Sequence, residues 1–468
     1  MTDFSIRTST LRQIAAAMRD GQVSASALMA DATACYKHHH RANNTYKTWD
    51  GDRAAETADI VDRMIANGRD VGPLMGVPIS VKDIFGVPGL PTYAGSSRQL
   101  PPDWERAGPM VRAVLQQMAP ITGKTHTVEF AFGGLGTNSH WGTPRNPWDA
   151  AQHRVPGGSS AGAGVSLVEG SALLAFGTDT AGSVRVPASM TGVAGLKTTV
   201  GRWSTAGITP LSTTLDTPGL LARSVDDLAF AYDAIDGALA PGGSPVLPPP
   251  LLSDLRLGVP ERFFFDDCSP GVAESVRSAI GRLESAGARI VPLELPRCDE
   301  AFDMQKHGGL AACELAAFLR SDLPDWLDIL DPNVRQRVDG ADAITSWEYV
   351  RRRQVIASMS READAALADV DALLTPTVAA TPPVIDSLAE EGAYPKANML
   401  ALRNTSIGNL MTLAGVTMPI GKDGADMPVG LQLYGRAWSE PRLLAVAQSI
   451  EGLLGRADSL LGVWPPEA

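Results

Sequence analysis

The 468-residue sequence has few cysteines, fewer basic than acidic residues and no long apolar run. Its four cysteines form no CxxC pair, and the first residues lack a basic start followed by an apolar segment, which together predict a reduced, cytoplasmic protein. No apolar run approaches the roughly 20 residues of a membrane-spanning helix, so we expect no membrane partner. The net charge of −12 includes no long single-sign run, which argues against a nucleic-acid partner.

Motifs for phosphate and metal binding are also missing. The sequence has no GxxxxGKS or GxxxxGKT motif, and Gly162 and Gly164 lack the third glycine of a dinucleotide-binding loop. The consecutive histidines 38–40 would point about 100° apart on a helix, so they cannot converge on one ion. We therefore expect neither a metal nor an organic cofactor.

Strand and helix patterns alternate along the chain. Residues 9–20 predict a helix capped by Thr8 or Ser9, residues 79–81 a short buried strand, and residues 255–296 a strand–helix–strand unit. This alternation favours an α/β fold in which helices cover both faces of a sheet and the loops that leave the strands carry the function.

A proline- and glycine-rich stretch, GALAPGGSPVLPPPLL, occupies residues 237–252. Its composition opposes regular structure and predicts an exposed connection. By itself, such a connection is compatible with two lobes.

Residues 158–162 match the GxSxG pattern, which in an α/β-hydrolase would make Ser160 the nucleophile. Such a serine needs a histidine base. Of seven histidines only His307 lies far enough downstream for the usual order of serine, acid and histidine, and its surroundings resemble no triad loop. We regard this interpretation as the weaker one.

Hydrolysis of an unactivated amide needs a nucleophile, a base, a proton donor for the leaving nitrogen and an oxyanion hole. Without a suitable histidine, a lysine can be the base, provided that burial lowers its pKa. Lys82 ends the apolar stretch GVPISV, and strand alternation would direct Asp83 to the opposite face. Lys82 is therefore a candidate base, although a lysine at a strand end is more commonly a surface residue.

Residues 157–189, GGSSAGAGVSLVEGSALLAFGTDTAGSVRVPAS, resemble the signature of the amidase signature family, serine amidases with a Ser-cisSer-Lys triad. Further motifs resemble that family in the same order along nearly the whole chain: GVPISVKD around Lys82, GKTHTVEFAFG from Gly123, GLKTT from Gly195, DALLTPT from Asp371 and MPVGLQLYGR from Met427. The resemblance implies the amidase signature fold, with a large mixed β-sheet covered by helices on both faces. Because the motifs lie on both sides of residues 237–252, it also implies one domain spanning residues 1–468.

The resemblance assigns roles to particular residues. It implies that Ser183 is the nucleophile, that Lys82 is the base, and that Ser159, preceded by a cis peptide bond, relays protons between them. It also implies an acyl-enzyme intermediate.

The small residues around Ser183 suggest an oxyanion hole, formed by the backbone amides of Thr180, Ala181, Gly182 and Ser183. We expect Asp179 and Arg185 to order this turn as an ion pair. Family members usually carry glycine where Ala181 stands, so a positive φ there would cost about 1 kcal/mol or more.

Residues from Gly201, GRWSTAGITPLSTTLDTPGLL, resemble hydrolases of small aryl-bearing primary amides such as indoleacetamide. We therefore predict hydrolysis of the C–N bond of a small aryl-bearing amide. The predicted pocket residues are Phe132, Gly133, Gly134, Trp141 and Trp203. A homodimer is possible.

Two other functions remain open. The same triad could cleave a urethane, another carbamate or a urea, because nothing in it distinguishes these carbonyl groups from an amide. The chain could instead be the amidotransferase A-type subunit of a multi-protein complex, which would release ammonia from glutamine.

Overall fold

The computed structural model describes residues 5–240 and 242–464. Within these ranges the α-helices are α1 Leu11–Arg19, α2 Ala25–Asn43, α3 Gly51–Ala66, α4 Pro109–Gln116, α5 Ala161–Glu169, α6 Arg185–Thr191, α7 Val225–Leu239, α8 Val272–Ser285, α9 Cys298–Lys306, α10 Ala311–Asp322, α11 Pro332–Gly340, α12 Ser346–Ala366, α13 Ala393–Leu410, α14 Glu440–Leu454 and α15 Ala457–Leu461. The β-strands are β1 Tyr46–Trp49, β2 Ile79–Lys82, β3 Ile121–Thr125, β4 Leu174–Asp179, β5 Ala194–Lys197, β6 Thr217–Ala222, β7 Arg256–Val259, β8 Arg289–Pro292, β9 Ala372–Pro376, β10 Ala414–Lys422 and β11 Pro428–Gly435.

All these strands belong to one sheet, in the order β1-β3-β2-β4-β6-β5-β10-β11-β9-β7-β8. Strand β2 runs parallel to β3 and β4, and β7 runs parallel to β8 and β9, whereas the other neighbours are antiparallel. The large mixed α/β sheet expected from the sequence is confirmed. Strands from before and after residues 237–252 share it.

Apolar side chains cover both faces of the central strands, because alternate residues of a strand point to opposite faces. Leu174 and Phe176 of β4 lie in the main hydrophobic core. Ala175 between them packs in a second cluster, together with Leu167 of α5 and Ala188 of α6. Central strands are therefore buried on both sides.

Some predicted boundaries need correction. Helix α1 begins after Thr10, rather than after Thr8 or Ser9, because the Thr10 hydroxyl accepts from Gln13 N and the Gln13 side chain accepts in return from Thr10 N. Residues 237–239 of the predicted connection belong to α7. Residue 241 lies outside the described residues, and most of residues 242–251 are exposed. The predicted strand–helix–strand unit is present as β7, α8 and β8.

Across residues 5–240 and 242–464, every helix is too short or too polar to cross a bilayer.

The parallel pair β2 and β4 places two polar side chains at one edge of the sheet. Lys82 is the last residue of β2, and Thr178 is the penultimate residue of β4. Because the carboxyl ends of parallel neighbours meet at the same edge, these side chains approach each other there.

Candidate active site

Lys82 is fully buried at the end of β2. Its Nζ donates hydrogen bonds to Ser159 Oγ at 2.7 Å and to Thr178 Oγ1 at 2.9 Å. Burial lowers the pKa of Lys82 to about 7, although the carboxylates of Asp216 and Asp179 favour its charged form. The side chain is therefore an amine that can lose its proton near neutral pH.

Ser159 lies between β3 and α5, and the peptide bond between Gly158 and Ser159 is cis. Its carbonyl oxygen accepts from Val128 N at 3.2 Å and from Ala161 N at 2.8 Å. The backbone is thus held at the carbonyl group of the residue whose hydroxyl receives the Lys82 hydrogen bond.

Ser183 lies two residues before α6, and its side chain lines a cavity. Its carbonyl oxygen accepts from Ser160 Oγ at 2.5 Å and from Ser160 N at 3.3 Å, which ties the two serine-bearing loops together. Among the hydrogen bonds of the described residues, none joins the Ser183 and Ser159 hydroxyls. The fold brings all three predicted residues to one place but leaves this last contact open.

Ser160 does not fit the nucleophile role of the GxSxG interpretation. It is fully buried, and its hydroxyl is used by the carbonyl oxygen of Ser183. His307 does line the cavity, but its side chain is 67% exposed and its Nδ1 lies 2.8 Å from Asp303 O. The serine–histidine interpretation therefore has no support in this geometry.

The turn before Ser183 contains backbone amides that remain available as hydrogen-bond donors. Thr180, Ala181 and Ser183 line the cavity, and within the described chain their amides donate to no protein acceptor. The Gly182 amide instead donates to Asp179 Oδ1 at 2.7 Å, so it is already in use. The available donors are therefore those of Thr180, Ala181 and Ser183.

Ala181 does not have the positive φ that comparison with glycine-bearing family members suggested. Gly182 has it instead, with a φ of 133°, and an added Cβ there would meet Thr405 Oγ1 at 2.1 Å. The conformation that needs glycine falls one residue later, so alanine at position 181 carries no such cost.

A buried ion pair supports this turn, as expected. Arg185 Nε lies 3.0 Å from Asp179 Oδ2, and Arg185 Nη2 lies 3.0 Å from Asp179 Oδ1. The guanidinium favours ionised Asp179 against the opposing effect of burial, and the pKa of this carboxyl is lowered to about 2. Asn409 Nδ2 adds a further hydrogen bond to Asp179 Oδ1 at 2.9 Å.

The cavity that contains Ser183 has a volume of about 460 Å³. Much of its wall is apolar, including Phe132, Leu211, Leu215, Met399 and Leu402. Lys306, Arg337 and Arg352 also line it, whereas none of the described lining residues is Asp or Glu. This is an unusual local balance in a chain with a net charge of −12.

Two of the five predicted pocket residues, Phe132 and Gly133, line the cavity. Gly134 does not: its amide donates to Asn398 Oδ1 at 2.7 Å, and a Cβ there would meet Leu402 at 2.7 Å. Gly134 therefore lies behind the wall, where close packing requires glycine.

The two predicted tryptophans also lie elsewhere. Trp141 donates from Nε1 to Ser96 O at 2.7 Å and packs under Lys47, whose Nζ lies 3.4 Å from the ring centroid. Trp203 is a core residue whose Nε1 donates to Asp236 Oδ1 at 2.9 Å and whose ring stacks on Tyr232. For these two tryptophans, closeness to a motif in the sequence did not predict a position in the cavity wall.

Several wall residues were not predicted from the sequence. Leu211 and Leu215 come from the loop before β6, Arg337 from α11, and Met399 and Leu402 from α13. No motif marks the last three positions, and only the chain's path brings them to Ser183.

Known proteins resemble this chain over almost its full length. The sequence model of the family named Amidase matches residues 31–444. A protein of Comamonas testosteroni named 2-amino-5-chloromuconic acid deaminase is 53% identical, covering 97% of this chain and 98% of its own. The A-type subunit of the glutamyl-tRNA(Gln) amidotransferase of Cupriavidus necator is 31% identical, covering 94% and 96%.

A crystal structure described as an amidase superposes with a TM-score of 0.84 at 30% identity and covers 96% of this chain and all of its own. These matches confirm the family resemblance read from the motifs. The chain therefore belongs to the amidase family, enzymes that hydrolyse C–N amide bonds.

Proposed function

We propose that this amidase uses Ser183 as its nucleophile, Ser159 as a proton relay and Lys82 as the base. One observation carries the proposal: a fully buried lysine with a pKa of about 7 donates to Ser159 Oγ at 2.7 Å, beside a cavity that Ser183 lines. At pH 7 an ordinary lysine is neutral in about one molecule in 2,500, whereas a pKa of about 7 leaves about half of the lysines neutral.

In the acylation step, neutral Lys82 accepts a proton from Ser159, which accepts the proton of Ser183. Ser183 Oγ bonds to the substrate carbonyl carbon, and the resulting oxyanion accepts hydrogen bonds from the free amides of Thr180, Ala181 and Ser183. The C–N bond then breaks as the relay returns the proton to the leaving nitrogen. Catalytic hydrogen bonds are often open in a free enzyme, so the contact between the two serine hydroxyls closes when substrate binds.

In the deacylation step, a water molecule gives a proton to the same relay and bonds to the acyl carbon. The ester bond to Ser183 breaks, and the serine recovers its proton. For an amide, the net reaction consumes one water and yields a carboxylic acid and an amine or ammonia. All proton transfers use side chains of this chain.

The substrate that we propose is a small unsaturated acid from which ammonia is released. The name of the Comamonas testosteroni relative describes an unsaturated dicarboxylic acid with an amino group. The cavity has an apolar wall that suits a planar carbon skeleton, and its lining cations, Lys306, Arg337 and Arg352, suit an acid. For the imine tautomer of such an amino acid, Ser183 Oγ adds to the C=N carbon and the relay passes its proton to the nitrogen. Water then replaces the nitrogen on this carbon and gives it a proton, so that ammonia leaves. The C–O bond to Ser183 breaks, the serine recovers the proton of the new hydroxyl, and the carbon becomes a carbonyl.

The aryl-bearing amide predicted from the sequence fits the apolar wall but offers no anion to the cations that line the cavity. A carbamate or urea also remains compatible with the triad. The amidotransferase role of the Cupriavidus necator relative would require partner chains, and its identity of 31% is well below the 53% of the deaminase.

Ammonia release from a panel of substrates tests this proposal. The panel contains 2-aminomuconic acid, an aryl acetamide, a carbamate, a urea and glutamine, each with the purified chain and with Ser183→Ala. We expect the acid to be hydrolysed fastest and Ser183→Ala to lose at least about 10³-fold in kcat. Undiminished turnover by a folded Ser183→Ala protein would exclude the serine mechanism. If glutamine were the only substrate hydrolysed, and only after partner chains were added, the amidotransferase role would be favoured.

A further inference from the structure

Arg337 stands out among the cations of the cavity because its charge has no acidic partner. Lys306 pairs with Asp303 at 3.1 Å, and Arg352 pairs with Glu348 at 2.9 Å. In residues 5–240 and 242–464, no carboxylate oxygen lies within 4.0 Å of the Arg337 guanidinium. A cation at the wall of a largely apolar cavity attracts an anion more strongly than one surrounded by water.

The Arg337 side chain is also held in place. Its Nη1 donates to Phe132 O at 2.7 Å, and its guanidinium carbon lies 4.9 Å from the Phe132 ring centroid and 5.8 Å from that of Tyr394. These contacts leave Nε and Nη2 without a protein acceptor among the described residues. Two adjacent guanidinium nitrogens form a fork that matches the two oxygens of a carboxylate.

The segment that holds Arg337 also contacts the catalytic residues. Val128, four residues before Phe132, donates from its amide to the carbonyl oxygen of Ser159. Phe132, Gly133 and Ser183 line the same cavity as Arg337. An anion held by Arg337 therefore lies at a defined position relative to the reacting serine.

We propose that Arg337 binds a carboxylate of the substrate through Nε and Nη2, and so selects acids over neutral amides. The inference rests on the proposed function for the reaction, but it concerns a group that does not react. Arg352 has a different role, because its Nη1 also donates to the carbonyl oxygens of His307 and Gly309 and thereby secures the cavity rim.

Binding of muconic acid, which has two carboxylates and no amino group, tests the proposal without turnover. Calorimetry gives the Kd of muconic acid for the Ser183→Ala protein and for the double variant Ser183→Ala/Arg337→Met. The Kd of muconic diamide is measured for the same two proteins. We expect Arg337→Met to weaken binding of the diacid about 10- to 100-fold and to leave binding of the diamide within about 3-fold. Arg337→Lys keeps the positive charge but not the two adjacent guanidinium nitrogens. It should therefore bind the diacid more weakly than Arg337 does and more tightly than Arg337→Met.

Arg320→Met is the matched control, because it removes the same charge from an exposed position on α10, outside the cavity. It should leave both Kd values within about 2-fold, and circular dichroism establishes that each variant is folded. Equal diacid binding by folded Ser183→Ala proteins with and without Arg337→Met overturns the carboxylate site while leaving the serine mechanism intact. Turnover that survives Ser183→Ala, by contrast, overturns the mechanism and leaves the binding result standing.

Discussion

The side chains of Lys82 and Asp83, consecutive in the sequence, belong to separate buried networks. Lys82 Nζ donates to Ser159 Oγ at 2.7 Å, whereas Asp83 Oδ1 lies 3.1 Å from Lys124 Nζ. Asp83 is the first residue after β2, and its carboxylate pairs with Lys124, whereas the carboxylates that favour protonated Lys82 are those of Asp216 and Asp179. Lys82 can therefore be neutral although an acid adjoins it in sequence.

Replacing Lys82 with methionine should lower kcat about 10²- to 10⁴-fold while the protein stays folded, because the proposed base is lost and an apolar side chain fills its buried space. Steady-state ammonia release and thermal unfolding measure the two effects. Lys197→Met is the matched control: Lys197 is also fully buried with its pKa lowered to about 7, but it donates to Thr198 O and Leu413 O, away from the cavity. Similar losses of kcat in both variants would contradict a specific role for Lys82.

The pH dependence of the attack by Ser183 should follow the deprotonation of Lys82. Its pKa is lowered from 10.5 to about 7, and the neutral form is the active one in the proposed mechanism, so the rate should be low at pH 5, rise through about pH 7 and level off above pH 8. Single-turnover rates between pH 5 and 10 give this profile. A flat profile would exclude Lys82 as the base.

Asp216→Asn should move that profile towards lower pH. The Asp216 carboxylate is the strongest of the charges that favour protonated Lys82, so its removal lowers the pKa of the lysine further. A purely structural effect, through the lost acceptor of Thr180 Oγ1, would reduce the rate without moving the midpoint. Asp342→Asn removes the same charge at the exposed surface and should leave the midpoint where it is.

Exchanging glycine and alanine at neighbouring positions should have unequal effects. Gly182→Ala should destabilise the fold by about 2–4 kcal/mol, because it combines a positive φ with a collision against Thr405 Oγ1. Ala181→Gly should cost only about 0.5–1 kcal/mol, through the greater freedom of the unfolded chain. Denaturant unfolding of the two variants supplies both numbers, and equal values would show that the turn is not shaped as described.

Trp203→Phe should lower the free energy of unfolding and leave substrate affinity unchanged. The variant loses the hydrogen bond from Nε1 to Asp236, which is worth about 1–2 kcal/mol in a buried setting. The cavity wall is unchanged, because Trp203 does not line it. Phe132→Leu, in contrast, reshapes the cavity wall and should raise KM several-fold. An increased KM for Trp203→Phe would restore the sequence-based assignment of Trp203 to the pocket.

The family and the α/β fold could be predicted because their signals are local and continuous. Residues 157–189 carry Ser159 and Ser183 in one uninterrupted motif, and Lys82 ends a short strand whose apolar pattern is easily read. The same nearness in sequence led to wrong predictions at Trp141 and Trp203, which are close to motifs but face other parts of the molecule.

The sequence by itself determined which residues carry the proposed chemistry, because short runs of adjacent residue types define the motifs that contain them. Only the tertiary structure decided that the amide of Gly182 is used by Asp179, and that burial brings the pKa of Lys82 near neutrality. It also decided that Arg337 and Met399, more than 150 residues beyond Ser183, line the same cavity. The physical reason is that desolvation, hydrogen-bond satisfaction and cavity shape depend on distances in space between segments that are far apart along the chain.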